Sequence, residues 1–394
     1  MIVVVALGPF SGGSVDERAL QEARIMRHEG WDVTFVLPRS ARIAPVDAER
    51  EARFTAETGV AVVGIPDWYV RGPCFNVSKD LFFDLRLSRV LERIHRDTPI
   101  RLVVTHASTT SYPIASFCRR HRIPSAFVIQ ALIWDRLNAG ANPYPRVMTA
   151  FYRHANAHAL RKLDWHLANS GYIRSLAIEH GARPDHVRVV YNCIDLERFR
   201  PEPEGPKTID VLYVGRFHPE KGIETLAGAI ERLPRSTRVQ AVGDGPLRAG
   251  FEQRMRAAGC HVTCPGRIPN ADLPAVIRSA RLQVVPSNSE PQGLVVVEAM
   301  ACGVPVIGSR VGGIPEMIED GVNGWLVPAR APEALAAALA SALGDPERLK
   351  TMGRNALATA ARFSLGRLAG DILGVYRPLI AAQPVPSLRM TTAA

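Results

Sequence analysis

The chain has 394 residues, 47% hydrophobic and 22% charged. That is the make-up of a globular protein of two or three domains with an ordinary core. The formal net charge of +10 is spread evenly, with 25 Lys+Arg against 19 Asp+Glu up to Asp195 and 23 against 19 beyond it. The even spread excludes a basic nucleic-acid-binding tail, and the lack of any run of about 18 apolar residues excludes a membrane-spanning helix.

In chain order, short apolar β-branched runs alternate with longer amphipathic ones, the pattern of parallel α/β units. The strands predicted are Ile2–Leu7, Val33–Leu37, Leu102–Thr105, Ala126–Ile129, Val187–Val190, Val211–Val214, Val239–Val242, Gln283–Val285 and Val304–Ile307. Near-continuous apolar strands belong to sheets covered on both faces. The first run lacks a basic n-region and stops at Gly8-Pro9, so it reads as a buried strand rather than a signal peptide, and a cytoplasmic protein is expected. Arg146 to His166 carries Arg146, Arg153, His154, His158, Arg161 and Lys162 among apolar residues. A packed helix with one solvated face is the ordinary reading; a basic face making weak peripheral contact with a membrane is the alternative.

Three prolines, a glycine and five charges from Arg198 to Lys207 mark a linker. It divides the chain into two doubly wound, Rossmann-like domains, 1–200 and 208–365. A helical run from Leu365 to Ile380 follows, with 366–382 expected to pack back on the first domain and 383–394 expected to be a disordered tail. In open sheets of this kind ligands bind beyond the carboxyl ends of the strands, which directs attention to the residues just after each strand.

The richest such segment is Val285-Pro286-Ser287-Asn288-Ser289-Glu290-Pro291-Gln292-Gly293-Leu294-Val295-Val296-Val297-Glu298, followed by a helix that ends at Gly303. The helix start offers the backbone N–H groups of Leu294 and Val295, which with the helix dipole suit a phosphate. Glu290 stands in the loop. Glu298 stands in a helix so apolar that a buried carboxylate there needs a partner, and a ribose diol can donate two hydroxyl hydrogen bonds to it. Either glutamate alone would read as an ordinary solvated side chain. Val211–Gly222 is a second strand and turn, where Arg216 and Lys221 put two cations at one strand end, suited to the charge that builds on a departing diphosphate. Lys221 is one of only five lysines among 48 basic residues. The six cysteines are scattered, with only Cys260 and Cys264 close together, so reduced thiols and no metal centre are expected.

The two glutamates eight residues apart resemble the Glu-x7-Glu signature of family 4 retaining glycosyltransferases, which have the two-domain GT-B fold. The resemblance covers nearly the full length, most strongly 187–330 and least 40–100. It implies that Glu290 contacts hydroxyls of a donor sugar and Glu298 the nucleotide ribose. By the same resemblance Gly215-Arg216 and Lys221-Gly222 meet the diphosphate, Gly245 lies beside the nucleotide, Arg267 and Ile268 read the base, and Gly13 lies near the phosphates. It further suggests His106, after the strand Leu102–Thr105, as a contact of the donor sugar and a catalytic candidate with Arg216, Lys221 and Glu290. Gly12, Gln130 and Trp134 are the acceptor-side candidates. The chain departs from the family in having Pro291-Gln292-Gly293 where Gly-Phe-Gly is usual, and Gln130 where histidine is frequent.

The function so implied is metal-independent transfer, with retention, of a hexose-type sugar from a nucleoside diphosphate. A UDP-sugar is favoured as donor and the hydroxyl of a small metabolite, lipid-linked sugar or polysaccharide as acceptor. No cofactor and no nucleic-acid partner are expected. No Asp-x-Asp occurs in the chain. The alternatives are a sugar-nucleotide epimerase on the same fold and a non-catalytic nucleotide-sugar-binding protein.

Overall fold

The computed structural model describes residues 1–7, 14–39, 45–66, 75–138, 145–202 and 205–383. Among these residues two parallel sheets form. The first contains β1 (Ile2–Val5), β2 (Val33–Arg39), β3 (Ala61–Pro66), β4 (Leu102–Thr105), β5 (Ser125–Ile129), β6 (Trp165–Ala168) and β7 (Val187–Val189), in the order β3-β2-β1-β4-β5-β6-β7. The second contains β8 (Ile209–Val214), β9 (Val239–Val242), β10 (Val262–Gly266), β11 (Ala280–Val285), β12 (Val306–Ser309) and β13 (Gly324–Val327), in the order β10-β9-β8-β11-β12-β13.

Helices link the strands: α1 (Ser14–His28), α2 (Pro45–Thr58), α3 (Phe75–Asp97), α4 (Ser111–His121), α5 (Ile133–Asn138), α6 (Arg146–Lys162) and α7 (Gly171–Glu179) in the first series. The second series has α8 (Ile223–Ile230), α9 (Arg248–Ala257), α10 (Leu273–Arg278), α11 (Leu294–Ala301), α12 (Pro332–Leu343), α13 (Pro346–Ala360) and α14 (Leu365–Ala381).

Both faces of each sheet are covered. Val4, Phe35 and Val104 point into one core with α1 and α14, while Val3, Val5 and Val103 point into another that holds Phe83 and Phe117. In the second sheet Leu212 and Val285 face α11, and Val211 and Tyr213 face α8. Each such side chain gains about 1.5–3 kcal/mol by leaving water, which is why the strands tolerate no polar alternation.

The chain crosses between the two bodies twice, at Cys193–Ile194 and after Phe363. Cys193 belongs to the first core and Ile194 to the second, and the crossings are bonded by Ile194 N–H donating to the Phe363 carbonyl at 3.0 Å. Beyond the second crossing α14 lies on α1, where the Tyr376 hydroxyl donates a short hydrogen bond to buried Glu22.

Several boundaries differ from the sequence expectation. β1 ends at Val5 rather than Leu7. β12 runs Val306–Ser309 rather than Val304–Ile307, because Gly303 at φ 73 and Pro305 are used to turn the chain out of α11. β3, β6 and β10 were not foreseen: each is broken by residues that read as turn or polar, Gly64-Ile65-Pro66, Trp165-His166 and Cys264-Pro265-Gly266.

In each sheet the order of the strands reverses once, between β1 and β4 and between β8 and β11. Loops leaving the carboxyl ends of such a pair diverge to opposite faces and open a crevice.

Candidate active site

At the β8/β11 switch point two loops meet. The first, Gly215–Gly222, ends in a short 3-10 turn, Pro219–Lys221, before α8. Gly222 has φ 69, and a Cβ there would stand 1.8 Å from the Pro286 carbonyl oxygen, so only glycine lets this loop press on the second. The Glu220 carbonyl accepts from the N–H of Asn288 at 2.8 Å, and the Asn288 amide donates to the Pro219 carbonyl at 2.9 Å. This stitching brings together residues 69 apart in sequence: Lys221 Nζ donates to Glu290 Oε2 at 2.7 Å, with Ser287 Oγ on the same oxygen at 3.2 Å. Glu290 is buried and Lys221 half-buried.

Arg216, the second cation, is mostly exposed and bonds Glu220 Oε1 at 2.8 Å. Glu220 was not singled out from the sequence. Burial works against its ionisation, but His218 and Arg216 outweigh that and hold its carboxyl below the usual range. Glu220 thus tethers the Arg216 side chain at the strand end while leaving the guanidinium open to solvent.

α11 begins at Gly293, whose φ of 98 is left-handed and whose lack of a side chain leaves the helix start uncapped. Among the described residues no acceptor meets the N–H groups of Leu294 and Val295. Most of the helix is buried: Val296, Val297, Ala299, Met300 and Ala301 face the core. The strip with solvent access is Leu294, Val295 and Glu298, and Leu294 and Glu298 share a face, four residues apart. The Glu298 carboxyl has no hydrogen-bond partner among the described residues. Loss of hydration pushes its carboxyl from 4.5 up to about 7, with only the Arg198 charge acting against it. A carboxyl in that state lacks hydroxyl or N–H donors, and a diol is one group able to supply two of them.

The neighbouring loops complete the rim. Phe217 N–H donates to the Asp244 carbonyl at 2.9 Å and Leu247 N–H to the Phe217 carbonyl at 3.0 Å, which lays Gly245 against the first loop. Gly215 N–H donates to the Val242 carbonyl and Gly243 N–H to the Gly266 carbonyl, so Arg267 and Ile268 follow at the end of the next strand. Arg267 is exposed, and Ile268 is partly buried against the α11 core.

The candidates from the first domain are distributed differently. Gly12 and Gly13 lie outside the described residues. His106 ends β4, but its imidazole turns to α1, with Nε2 3.1 Å from Glu22 Oε2 and the side chain 2% exposed. Its contact with Glu22 is therefore within the first domain and not with the loops that carry Lys221 and Glu290. Gln130 exchanges hydrogen bonds with the Asn192 side chain, at 2.7 and 3.3 Å. Trp134 is stacked on His180 with centroids 3.8 Å apart. Its neighbour Asp135 is buried and accepts from Tyr172 OH at 2.9 Å and from Ser289 Oγ, in the second domain, at 2.5 Å.

Glu316 and Ser170 also bridge the domains and carried no distinctive sequence signal, and so does Gln292, which stood out only as a departure from the family pattern. The Glu316 carboxylate accepts from the N–H groups of Gly171 and Tyr172 at the start of α7, at 2.8 and 2.9 Å, and from Tyr191 OH at 2.7 Å. An anion at a helix N-terminus is favourably placed. Among the described residues no helix is long and apolar enough to cross a membrane.

Two family models match the chain in tandem. One described as "Glycosyl transferase 4-like domain" matches residues 13–193, and one described as "Glycosyl transferases group 1" matches residues 195–359. A D-inositol 3-phosphate glycosyltransferase of Segniliparus rotundus is 36% identical over 228 residues, 53% of this chain and 51% of that protein. An alpha-D-kanosaminyltransferase of Streptomyces kanamyceticus is 36% identical over 176 residues, 43% of this chain and 45% of that protein. The chain thus spans about half the length of the curated relatives it matches. Among solved structures, HepE of Anabaena in complex with UDP superposes with a TM-score of 0.75 at 21% identity, covering 96% of this chain and 99% of that one. The sucrose-phosphate synthase of Thermosynechococcus elongatus superposes with a TM-score of 0.79 at 22% identity, covering 97% and 99%.

Proposed function

The chain belongs to glycosyltransferase family 4, with the GT-B fold of two Rossmann-like domains, and from that premise we propose that it transfers a hexose-type sugar from UDP to an acceptor hydroxyl with retention at the sugar carbon. The observation that carries this reading is the convergence, at one strand reversal, of the Lys221–Glu290 pair, the open N–H groups of Leu294 and Val295, and the unpartnered Glu298. Each suits a different part of one ligand. Glu298 accepts the ribose hydroxyls. The helix start, Lys221 and Arg216 hold the diphosphate. Glu290, already anchored by Lys221, accepts hydroxyls of the sugar.

In the reaction the bond between the sugar C1 and the diphosphate oxygen breaks, and its electron pair leaves with the diphosphate. Lys221 and Arg216 stabilise that growing negative charge, a service strongest in the transition state. The acceptor oxygen bonds C1 from the face the diphosphate leaves, and its proton passes to the departing phosphate oxygen. Fixed cations do this work in the proposed mechanism, so it includes no metal. The solved HepE complexes with UDP and UDP-glucose, and relatives named D-inositol 3-phosphate glycosyltransferase and alpha-D-kanosaminyltransferase, support a UDP-sugar as donor and a hydroxyl-bearing acceptor. The acceptor class proposed remains broad: a small metabolite, a lipid-linked sugar or a polysaccharide.

The test is a melting-point screen of sugar nucleotides followed by transfer assays, since ligand bound only by the folded state raises the melting temperature. Stabilisation by UDP and turnover with a UDP-sugar and acceptor are expected. Epimer formed from donor alone would favour the epimerase reading, and binding with no turnover across a broad acceptor panel a non-catalytic one.

A further inference from the structure

The residues on either side of Glu290 reach across to the first domain, while the Ser289 N–H stays within the second, on the Glu220 carbonyl at 3.3 Å. Ser289 Oγ donates to Asp135 Oδ2 at 2.5 Å, the Pro291 carbonyl accepts from Ser170 Oγ at 2.6 Å, and Gln292 bonds the backbone of Asn192 twice. Its Oε1 accepts from the Asn192 N–H and its Nε2 donates to the Asn192 carbonyl, both at 3.0 Å. The Gln292 carboxamide thus acts as a peptide group would across a sheet ladder. Glu290 alone turns the other way, to Lys221 and Ser287.

Asn192 sits immediately before the crossing from one body to the other, and the first domain holds it firmly. Arg18 Nη1 donates to the Tyr191 carbonyl at 3.2 Å and to Asn192 Oδ1 at 3.3 Å, and Asn192 Nδ2 donates to Gln130 Oε1 at 2.7 Å. Gln292 is 3% exposed with both ends of its amide engaged by Asn192, so little of it is open to a donor sugar. It occupies a position where the sequence departs from the family pattern.

Resting on the functional reading above, we propose that Gln292 is a positioning residue that sets Glu290 in register with the acceptor-side domain. The loop that grips the sugar is also the loop that grips the first domain, so the two cannot move independently. Separation of the domains pulls on the segment 289–292 and shifts Glu290, while the nucleotide end of the site, at Glu298 and the α11 start, stays intact. Loss of the Gln292 contact therefore affects the reacting geometry and spares nucleotide binding.

The experiment compares wild type with Gln292→Ala and Gln292→Met; the latter fills the same buried space without the amide. Three quantities are read: the UDP dissociation constant by calorimetry, kcat and KM with the best donor, and the distance distribution between one spin label on each domain. The expected result is UDP affinity within about twofold, kcat lower by about ten- to a hundredfold, and a broadened distance distribution in both variants. Ser289→Ala, which releases the Asp135 contact, should change the same quantities in the same direction. Unchanged kcat and distances in Gln292→Met would overturn the proposal. So would loss of UDP affinity in step with kcat, which would make Gln292 a direct ligand. If wild type neither binds UDP nor transfers sugar, the functional reading fails. The distance distribution then decides the register role alone: broadening supports it and an unchanged distribution overturns it.

Discussion

The weakened acidity of Glu298 makes a prediction that separates its role from that of an ordinary core glutamate. Its carboxyl is pushed from 4.5 up to about 7 by burial without a donor. Hydroxyl donors of a ribose favour the ionised form, so nucleotide should bind mainly when Glu298 is charged. With a value of 7, the charged fraction falls roughly tenfold between pH 8 and pH 6, and the affinity for UDP should fall with it. The phosphate of UDP itself gains a proton near pH 6 and gives a slope of the same sign, so the measurement must be differential. Calorimetric titration of wild type and Glu298→Gln across pH 6–8 should show a steeper loss in wild type by up to about one decade.

The same shift has a stability consequence of opposite benefit. Between pH 4.5 and 7 the unfolded chain has released the proton that the folded chain retains, so stability falls as pH rises through that window. The difference between 4.5 and about 7 corresponds to about 3–4 kcal/mol as an upper bound, which the partial solvent access of Glu298 reduces. Ligand-free Glu298→Gln should therefore melt higher than wild type at pH 8 and no higher at pH 4. Parallel pH profiles for UDP affinity, together with no gain in melting temperature at pH 8, would refute the reasoning.

Replacing Lys221 by alanine should lower kcat by a hundredfold or more, on the order of 3 kcal/mol of transition-state stabilisation, while weakening UDP binding far less; equal losses in steady-state kinetics and calorimetry would contradict a leaving-group role. Gly222→Ala should destabilise the protein by about 1–3 kcal/mol in urea unfolding, because the added Cβ meets the Pro286 carbonyl at 1.8 Å and φ is 69. Tyr376→Phe should cost about 1–3 kcal/mol in the same assay by leaving the buried Glu22 carboxylate short of a donor, with little change in nucleotide affinity. Glu316→Ala removes the anion from the α7 start and from Tyr191; small-angle scattering should show a larger radius of gyration than wild type, and an unchanged radius would mean that the remaining bridges suffice.

What could be read in advance was whatever depends on local residue choice. The strand ends at Val214 and Val285 and the helix after Gly293 follow from apolar runs ending in glycine and polar loops, and these mark the β8/β11 crevice. Glu290 and Glu298 stood out because a polar loop and an apolar helix each held a carboxylate. Contacts between distant segments were not legible. Glu220 looked like one more charged residue in a loop, and only the fold shows it between His218 and Arg216. Gln292 read as a departure from a family pattern, because nothing local indicates that Asn192 lies across from it. His106 at the end of β4 was expected to face the sugar; its imidazole instead faces Glu22, one of two buried charges on α1 whose helical neighbours gave no hint of burial. β10 was missed because its second half, Cys264-Pro265-Gly266, reads as a turn.

The most direct test is a crystal structure of the protein with UDP bound. The account predicts the ribose hydroxyls on the Glu298 carboxylate, and the diphosphate against the Leu294 and Val295 N–H groups with Lys221 and Arg216 on its outer oxygens. Nucleotide bound elsewhere, with those groups still facing solvent, would contradict it.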